Sequence, residues 1–125
     1  MLKKMEKKKT LVLGASQNPA RYSYLALKSL NARNHPVIAI GRRQGKVDNI
    51  EIDTEKKPID NVDTITLYLN ANNQKQYYDY IVSLRPKRII FNPGAENREL
   101  RSLAHANGIK TMDACTLVML STGQY

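Results

Sequence analysis

The chain has 125 residues, a length that fits one domain, and 42 % of them are hydrophobic, as in globular proteins. No apolar run approaches the roughly 18 residues needed to cross a bilayer, and no apolar segment follows the basic N-terminus as in a secretory signal. One cysteine and two histidines exclude a disulfide framework and do not favour a metal cluster. We therefore expect a soluble cytoplasmic protein without a membrane partner or a bound metal.

The net charge of +9 is concentrated at the N-terminus. Residues 1–9 hold five lysines and one glutamate, a net +4, which leaves +5 for the remainder. This pattern predicts a flexible basic arm over residues 1–8 and a folded domain over 9–125. Such an arm can bind polyanions, but no helix-turn-helix, zinc finger or aromatic stacking surface accompanies it, so a nucleic acid is not the expected partner.

Strand-like and helix-like segments alternate along the chain. Continuous apolar runs predict strands that are buried on both faces, and apolar residues at helical spacing predict the helices between them. The predicted elements are strand 10–13, helix 22–33, strand 37–40, strand 64–69, helix 73–84, strand 88–91, helix 96–107, strand 109–112 and a terminal turn or helix over 115–121.

Two parts of this assignment depend on few residues. Between residues 44 and 61, the spaced apolar residues Val47, Ile50 and Ile52 allow at most a short edge strand. Asn72 is the expected cap of the helix that starts at residue 73.

Repeated strand–helix units with short connections predict an α/β protein. We expect a three-layer, Rossmann-like fold with a five-stranded, mostly parallel sheet. Such sheets bind ligands beyond the carboxyl ends of their strands, near the topological switch point. The loops after residues 13, 40, 69, 91 and 112 are therefore the candidates for a binding site.

The loop from Gly14 to Ser23 has features of a phosphate site. Gly14 permits a sharp turn, Ser16 and Asn18 carry hydrogen-bond donors, and Arg21 adds a cation beside the free N–H groups that open the next helix. The G-x-G-x-x-G fingerprint is absent, so an ordinary strand-to-helix turn capped by Ser23 is the alternative.

The loop after the second strand is Gly41-Arg42-Arg43. NAD-binding domains carry an acidic residue at this place, whereas the first carboxylate here is Asp48. Two arginines suit a ribose phosphate, as in NADP or coenzyme A (CoA), although a solvated arginine pair is the plainer interpretation.

Two further loops complete this edge of the sheet. Leu69-Asn70 is small and polar, and Pro93-Gly94 makes a tight turn before a helix. Cys115 follows the last strand; a lone cysteine is typically a small core residue, and a mixed disulfide with a ligand thiol is the alternative.

Together these motifs resemble the small, single-domain CoA-binding proteins, which are similar to the N-terminal CoA-binding domain of the succinyl-CoA synthetase α-subunit. The resemblance covers nearly all of residues 9–125, and the combination of Gly-Ala-Ser with Pro-Gly-Ala-Glu-Asn makes it specific. The matching segments are Leu13–Ser16, Asn18-Pro19, Arg21–Ser23, Val62-Asp63, Phe91–Asn97 and Ala114–Val118.

The resemblance implies a role for each loop in holding CoA. The residues expected around the pyrophosphate are Gly14, Ala15, Ser16, Asn18, Arg21, Tyr22 and Ser23. Those expected at the adenosine 3′-phosphate are Gly41, Arg42 and Arg43, and those beside the pantetheine arm are Leu69, Asn70, Pro93 and Gly94.

The chain lacks the second domain, the ATP-grasp partner and the phosphorylatable histidine loop of the synthetases. Binding of CoA or acyl-CoA without catalysis, alone or with an unidentified protein partner, is therefore the expected function. The alternative is an NADP-binding oxidoreductase-type domain or a cofactor-binding subunit, although nothing in the sequence resembles a substrate domain or a proton donor.

Overall fold

A seven-stranded sheet organises the chain in the computed structural model, which describes residues 6–125. The strands are β1 (Thr10–Leu13), β2 (Val37–Ile40), β3 (Gly45–Val47), β4 (Ile50–Asp53), β5 (Thr64–Leu67), β6 (Arg88–Phe91) and β7 (Lys110–Asp113). Their spatial order is β3-β4-β2-β1-β5-β6-β7. All neighbouring pairs are parallel except β3 and β4, which run antiparallel.

Helices cover both faces of this sheet. They are α1 (Tyr22–Ala32), α2 (Ala71–Gln74), α3 (Tyr78–Leu84), α4 (Arg98–Ala106) and α5 (Thr116–Ser121), with a 3₁₀ turn at Lys75–Tyr77. Buried side chains of α1 and α5 share one apolar core with the sheet, and those of α3 and α4 share the other. The predicted α/β class and three-layer arrangement are confirmed.

The prediction of five strands was wrong. The additional strands β3 and β4 form a hairpin whose turn places Asp48 at φ +53°. Each strand is short and offers few buried apolar side chains, namely Val47 in β3 and Ile50 with Ile52 in β4. The sequence pattern therefore indicated one uncertain edge strand rather than two paired ones.

The central strand β1 is fully buried, as its continuous apolar run predicted. Leu11 and Leu13 pack into the core beneath α3 and α4, whereas Val12 packs into the core beneath α1 and α5. Burying a leucine side chain contributes about 1.5–3 kcal/mol to folding. Because β1 buries side chains on both of its faces, it stabilises the packing of both helical layers against the sheet.

The helix after β5 begins earlier than predicted. Asn70, not Asn72, is its N-cap, and the Asn70 side chain accepts a hydrogen bond from the backbone N–H of Asn73 at 2.9 Å. The helical stretch ends at Arg85, which adopts the left-handed conformation (φ +49°) before Pro86. Proline restricts the preceding residue away from the α-helical region, which explains the stop.

Residues 1–5 of the predicted arm lie outside the described residues. Next to them, the Lys7 ammonium donates to the Arg33 carbonyl at 2.8 Å, and the Lys8 ammonium donates to the Tyr125 carbonyl at 2.7 Å. Both contacts lie toward the amino ends of the strands, away from the candidate loops. Within residues 6–125, no helix has the length and apolar content that crossing a bilayer requires.

Candidate functional site

The candidate site lies where the sheet reverses its order, between the carboxyl ends of β1 and β5. Gly14 follows β1 with φ +94°, a conformation that side-chain-bearing residues rarely adopt. A Cβ at Gly14 would lie 2.9 Å from the Tyr68 carbonyl carbon and 3.0 Å from Leu69 Cγ. The two loops are therefore in backbone contact at the switch point, where α/β sheets bind their ligands.

The loop after β2 joins this arrangement. The backbone N–H groups of Gly14 and Ala15 both donate to the Ile40 carbonyl, at 2.9 and 3.0 Å, and the N–H of Gly41 donates to the Asp53 carbonyl at 2.9 Å. These bonds extend the sheet pairing by one residue beyond each strand. The loops that carry the predicted phosphate ligands consequently leave the sheet side by side.

The side chains of Ser16 and Asn18 shape their own loop. Ser16 Oγ accepts from the backbone N–H of Asn18, and Asn18 Oδ1 accepts from the N–H of Ala20, both at 3.0 Å. Their acceptor atoms are thus occupied within the loop. The Ser16 hydroxyl hydrogen and the Asn18 amide hydrogens remain to donate to a ligand.

The start of α1 presents unpaired N–H groups. Ser23 is 4 % exposed and lies inside the helix, so the alternative interpretation, in which it caps the helix, is wrong. The N-cap is Arg21, which makes no side-chain capping bond, and within residues 6–125 the backbone N–H groups of Tyr22 and Ser23 have no acceptor. An eleven-residue helix thus directs free N–H groups and the positive end of its dipole at the loop.

Positive charge dominates the loop after β2. Arg42 and Arg43 are exposed, and among the described residues neither forms an ion pair with a carboxylate. The nearest acidic strand end, Asp53, is bound locally: the backbone N–H groups of Glu55 and Thr54, together with the Lys57 ammonium, lower the pKa of its carboxyl. The two guanidinium groups therefore remain available to an anion.

The loops after β5 and β6 form the other side of the crevice. Leu69 is half-buried and Pro93 and Gly94 are exposed. The carbonyl oxygen of the Asn70 side chain caps α2, which leaves its amide hydrogens free. The backbone N–H of Gly94 donates to the Glu96 carboxylate at 2.8 Å, so a ligand would have to displace that carboxylate to reach this N–H.

Asn92 is not among the predicted site residues, yet its side chain connects the end of β6 to β5 and to α5. It is 3 % exposed, and its amide donates to Thr66 Oγ1 at 2.7 Å and to the Leu67 carbonyl at 2.8 Å. Its side-chain oxygen accepts from the N–H of Thr116 at 2.9 Å. A buried amide without hydrogen-bond partners would lower the stability of the fold, and these three bonds avoid that cost. The sequence clue to this role was the position of Asn92 between a strand and Pro93-Gly94.

Tyr68 and Cys115 lie near each other beside the crevice. Burial, together with the neighbouring Cys115 thiol, raises the pKa of the Tyr68 hydroxyl, which is therefore protonated at neutral pH. Cys115 is partly exposed and precedes α5. The mixed disulfide with a ligand thiol, which was the alternative interpretation of this cysteine, stays a hypothesis.

The structure brings the sequence-predicted site residues to the carboxyl end of the sheet, on the loops after β1, β2, β5 and β6 and, for Tyr22 and Ser23, in the first turn of α1. We call the surface between these loops the crevice. Two surface hollows, of about 290 and 430 Å³, lie toward the amino ends of the strands and include none of these residues. Among residues 6–125, no cluster of three histidine, cysteine or acidic side chains could hold a metal ion.

Comparisons with known proteins bear on this crevice. The model of a family described as a CoA-binding domain matches residues 8–121. A comparison with curated protein sequences finds no match.

Solved structures show the same fold. An uncharacterized protein is 49 % identical, with a TM-score of 0.94 over 97 % of this chain and 100 % of its own. A hypothetical protein from Pyrococcus horikoshii OT3 is 19 % identical, with a TM-score of 0.84 over 93 % of this chain and 83 % of its own. Acetyl-coenzyme A synthetase 1 of Ca. Korarchaeum cryptofilum is 18 % identical, with a TM-score of 0.69 over 86 % of this chain and 25 % of its own.

Proposed function

The chain belongs to the CoA-binding domain family, and on that premise we propose that it binds CoA or an acyl-CoA in the crevice at the carboxyl ends of β1, β2, β5 and β6. The observation that carries this proposal is the contact of Gly14 with Tyr68 and Leu69 at the switch point, beside the unpaired N–H groups that open α1. A nucleotide diphosphate is the ligand class that such an arrangement suits.

The pyrophosphate occupies the loop between β1 and α1. Its oxygens accept from the free backbone N–H groups of Tyr22 and Ser23, from the Ser16 hydroxyl and from the Asn18 amide. Arg21, exposed at the N-cap, adds a planar cation that can donate two parallel hydrogen bonds to a phosphate. Gly14 and Ala15 allow the backbone itself to approach the ligand.

The adenosine 3′-phosphate lies at the loop after β2. Arg42 and Arg43 are exposed and free of carboxylate partners in the described part of the chain, and Gly41 places them beside the pyrophosphate loop. Charge-assisted hydrogen bonds to an ionised phosphate typically contribute about 1.5–3 kcal/mol each. These arginines therefore favour CoA over its analogue without the 3′-phosphate.

The pantetheine arm runs between the loop at Leu69 and Asn70 and the loop at Pro93 and Gly94. A half-buried leucine and an exposed proline offer apolar contact to the arm, and the Asn70 amide offers a donor to its carbonyls. The function is binding of the cofactor, without catalysis by this chain alone.

Isothermal titration calorimetry with CoA, dephospho-CoA and NADP tests the proposal. We expect CoA to bind most tightly, dephospho-CoA more weakly because it lacks the 3′-phosphate, and NADP weakest. Tighter binding of NADP than of CoA would instead favour the oxidoreductase-type alternative, to which the arginines after β2 are equally suited. Absence of CoA binding at millimolar ligand would overturn the proposal.

A further inference from the structure

A single buried side chain joins the two loops that border the proposed pantetheine channel. Gln74, the last residue of α2, is 0 % exposed. Its amide nitrogen donates to the Leu69 carbonyl and to the Ala95 carbonyl, both at 2.7 Å. Leu69 follows β5 and Ala95 follows β6, so the two bonds cross from one loop to the other.

The bridge connects backbone atoms directly beside the proposed ligand contacts. The carbonyl of Leu69 precedes Asn70, and the carbonyl of Ala95 comes directly after Pro93 and Gly94. Neither carbonyl has another hydrogen-bond donor among residues 6–125. Without the Gln74 amide, the buried carbonyl of Ala95 and the partly buried carbonyl of Leu69 would be left unpaired, and the loops would move to reach water.

The position of the Gln74 side chain is itself fixed. Asn97 donates from its amide to Gln74 Oε1 at 2.8 Å and to the Tyr78 hydroxyl at 2.9 Å, while Asn97 Oδ1 accepts from the N–H of Leu100 at 3.0 Å. Both amide hydrogens of Gln74 and its oxygen are therefore engaged in one connected network. Its orientation is set by α4, which makes the bridge rigid rather than adaptable.

We infer that Gln74 is a positioning residue for the cofactor: it sets the separation of the Leu69–Asn70 and Pro93–Gly94 loops and so the width of the channel for the pantetheine arm. The inference rests on the proposed function, since it assigns a role within the same crevice. The Gln74 side chain makes no hydrogen bond to the phosphate loops, which lie after β1 and β2. We therefore expect its effect to be much larger on ligands that carry the arm.

Two ligands separate this role from a general loss of structure. CoA carries the pantetheine arm, whereas adenosine 3′,5′-bisphosphate retains the adenosine 3′-phosphate without it. Replacement Gln74→Met keeps the length of the side chain and removes both donors. We expect calorimetry to show CoA binding weakened about tenfold or more, with binding of the bisphosphate changed less than about twofold.

Ile81→Val is the matched control for lost stability. Ile81 is a fully buried core residue of α3, and this substitution loosens packing without touching the bridge. The ratio of the dissociation constants for the two ligands should equal that of the wild-type protein. A ratio altered as much as in Gln74→Met would mean that core packing alone explains the effect.

Gln74→Glu provides a second and milder variant. A protonated glutamic acid retains one O–H donor, whereas the ionised form faces the two carbonyl oxygens with none. The CoA affinity of this variant, divided by that of the wild-type protein at the same pH, should therefore fall as the pH rises, while the same quotient for the bisphosphate stays constant. Division by the wild-type value at each pH cancels titration of the phosphates, which differs between the two ligands.

Each outcome decides the inference. Equal weakening of both ligands, or no weakening of either, overturns the positioning role. Failure of both Gln74 variants to fold, judged by circular dichroism, also overturns it, because the residue would then act on the whole domain. If the wild-type protein binds the bisphosphate and not CoA, or binds neither, the proposed function itself fails, a result seen before any variant is made.

Discussion

The carbonyl oxygen of Ala15 lies against the α-carbon of Gly41, so closely that a Cβ at Gly41 would stand 2.2 Å from it. This contact joins the loops after β1 and β2, the proposed sites of the pyrophosphate and the 3′-phosphate. Backbone hydrogen bonds from Gly14 and Ala15 to the Ile40 carbonyl hold the first loop in place. The backbone contact between Ala15 and Gly41 therefore sets the distance between the two proposed phosphate sites.

Gly41→Ala should disturb both stability and ligand binding. The added methyl group meets a carbonyl that cannot rotate aside, and overpacking of this kind typically costs about 1–3 kcal/mol. We expect a lower free energy of unfolding in urea and weaker CoA binding by calorimetry.

Gly45→Ala is the matched control for that substitution. A Cβ at Gly45 would meet the end of the flexible Gln17 side chain, with Oε1 at 2.7 Å, and this side chain can move away. Its effect on unfolding should be small. Equal losses for the two alanine variants would show that the Ala15 contact is not what constrains the loops.

Replacement of both Arg42 and Arg43 by alanine should weaken CoA more than dephospho-CoA. Charge-assisted contacts to the 3′-phosphate typically contribute about 1.5–3 kcal/mol each, and only CoA carries this group. Calorimetry with both ligands measures the difference. Equal losses for the two ligands would contradict the assigned role.

A double alanine replacement of Lys87 and Lys110 controls for net charge. Both lysines are exposed and directly precede or begin β6 and β7, at the end of the sheet opposite the crevice. Their removal lowers the net charge by the same amount. Preference for CoA over dephospho-CoA should change far less than in the arginine variant, since exposed charges at the far end of the sheet are screened by salt.

The sequence predicted the architecture well where burial is two-sided and poorly where it is sparse. The run at residues 10–13 predicted a strand buried on both faces, and β1 is the middle strand of the sheet. The β3–β4 hairpin was not predicted because its few apolar residues are divided between two short strands. Its turn requires a positive φ at Asp48. Aspartate can adopt this conformation, but an aspartate in a sequence does not by itself predict it.

The candidate site was predictable as a set of loops but not as a network. Topology alone brings the loops at Gly14, Arg42 and Pro93 to one edge. The role of Gln74 was beyond sequence reasoning, because a glutamine in a polar stretch looks like a surface residue. Only the fold shows that it is buried with both of its donors engaged across two loops.

His35 should make the protein less stable in mild acid. It is 5 % exposed and accepts a hydrogen bond at Nδ1 from the backbone N–H of Lys8 at 2.9 Å. Burial, and then the nearby charges of Lys7, Lys8, Arg33 and Arg88, lower the pKa of His35 below its ordinary value. Protonation would abolish the acceptor and add a charge to a cationic cluster.

The direction of the pH effect follows from that lowered pKa. Between the pKa of His35 in the folded protein and about 6.5, its value in an unfolded chain, the unfolded state binds more protons, so stability rises with pH. We expect the free energy of unfolding in urea to decrease as the pH falls below about 6.5.

His35→Asn should flatten that part of the profile, because asparagine offers an acceptor near Nδ1 and does not titrate. His105→Ala is the control: His105 is an exposed residue of α4 whose ring pairs with Thr111, and its loss should leave the slope unchanged. An unaltered slope in His35→Asn would assign the acid sensitivity to other groups.

Tyr125 should contribute to stability without contributing to ligand binding. It is 5 % exposed, its hydroxyl pairs with Thr10 Oγ1, and its ring makes an edge contact with His35 at 5.0 Å between centroids. The Arg88 guanidinium lies 4.5 Å from the centroid of the Tyr125 ring. All of these contacts are at the amino ends of the strands.

Graded substitutions separate the two parts of this side chain. Tyr125→Phe removes one buried hydrogen bond and should cost about 1 kcal/mol, whereas Tyr125→Ala also removes the ring and should cost roughly 3 kcal/mol. Val118→Ala, at a residue that is 54 % exposed, should change the free energy of unfolding by less than about 0.5 kcal/mol. CoA affinity should be the same in all three variants when measured well below their unfolding transitions. Weaker CoA binding in Tyr125→Phe would show that the amino end of the sheet is coupled to the crevice, because that variant leaves the ring and its packing in place.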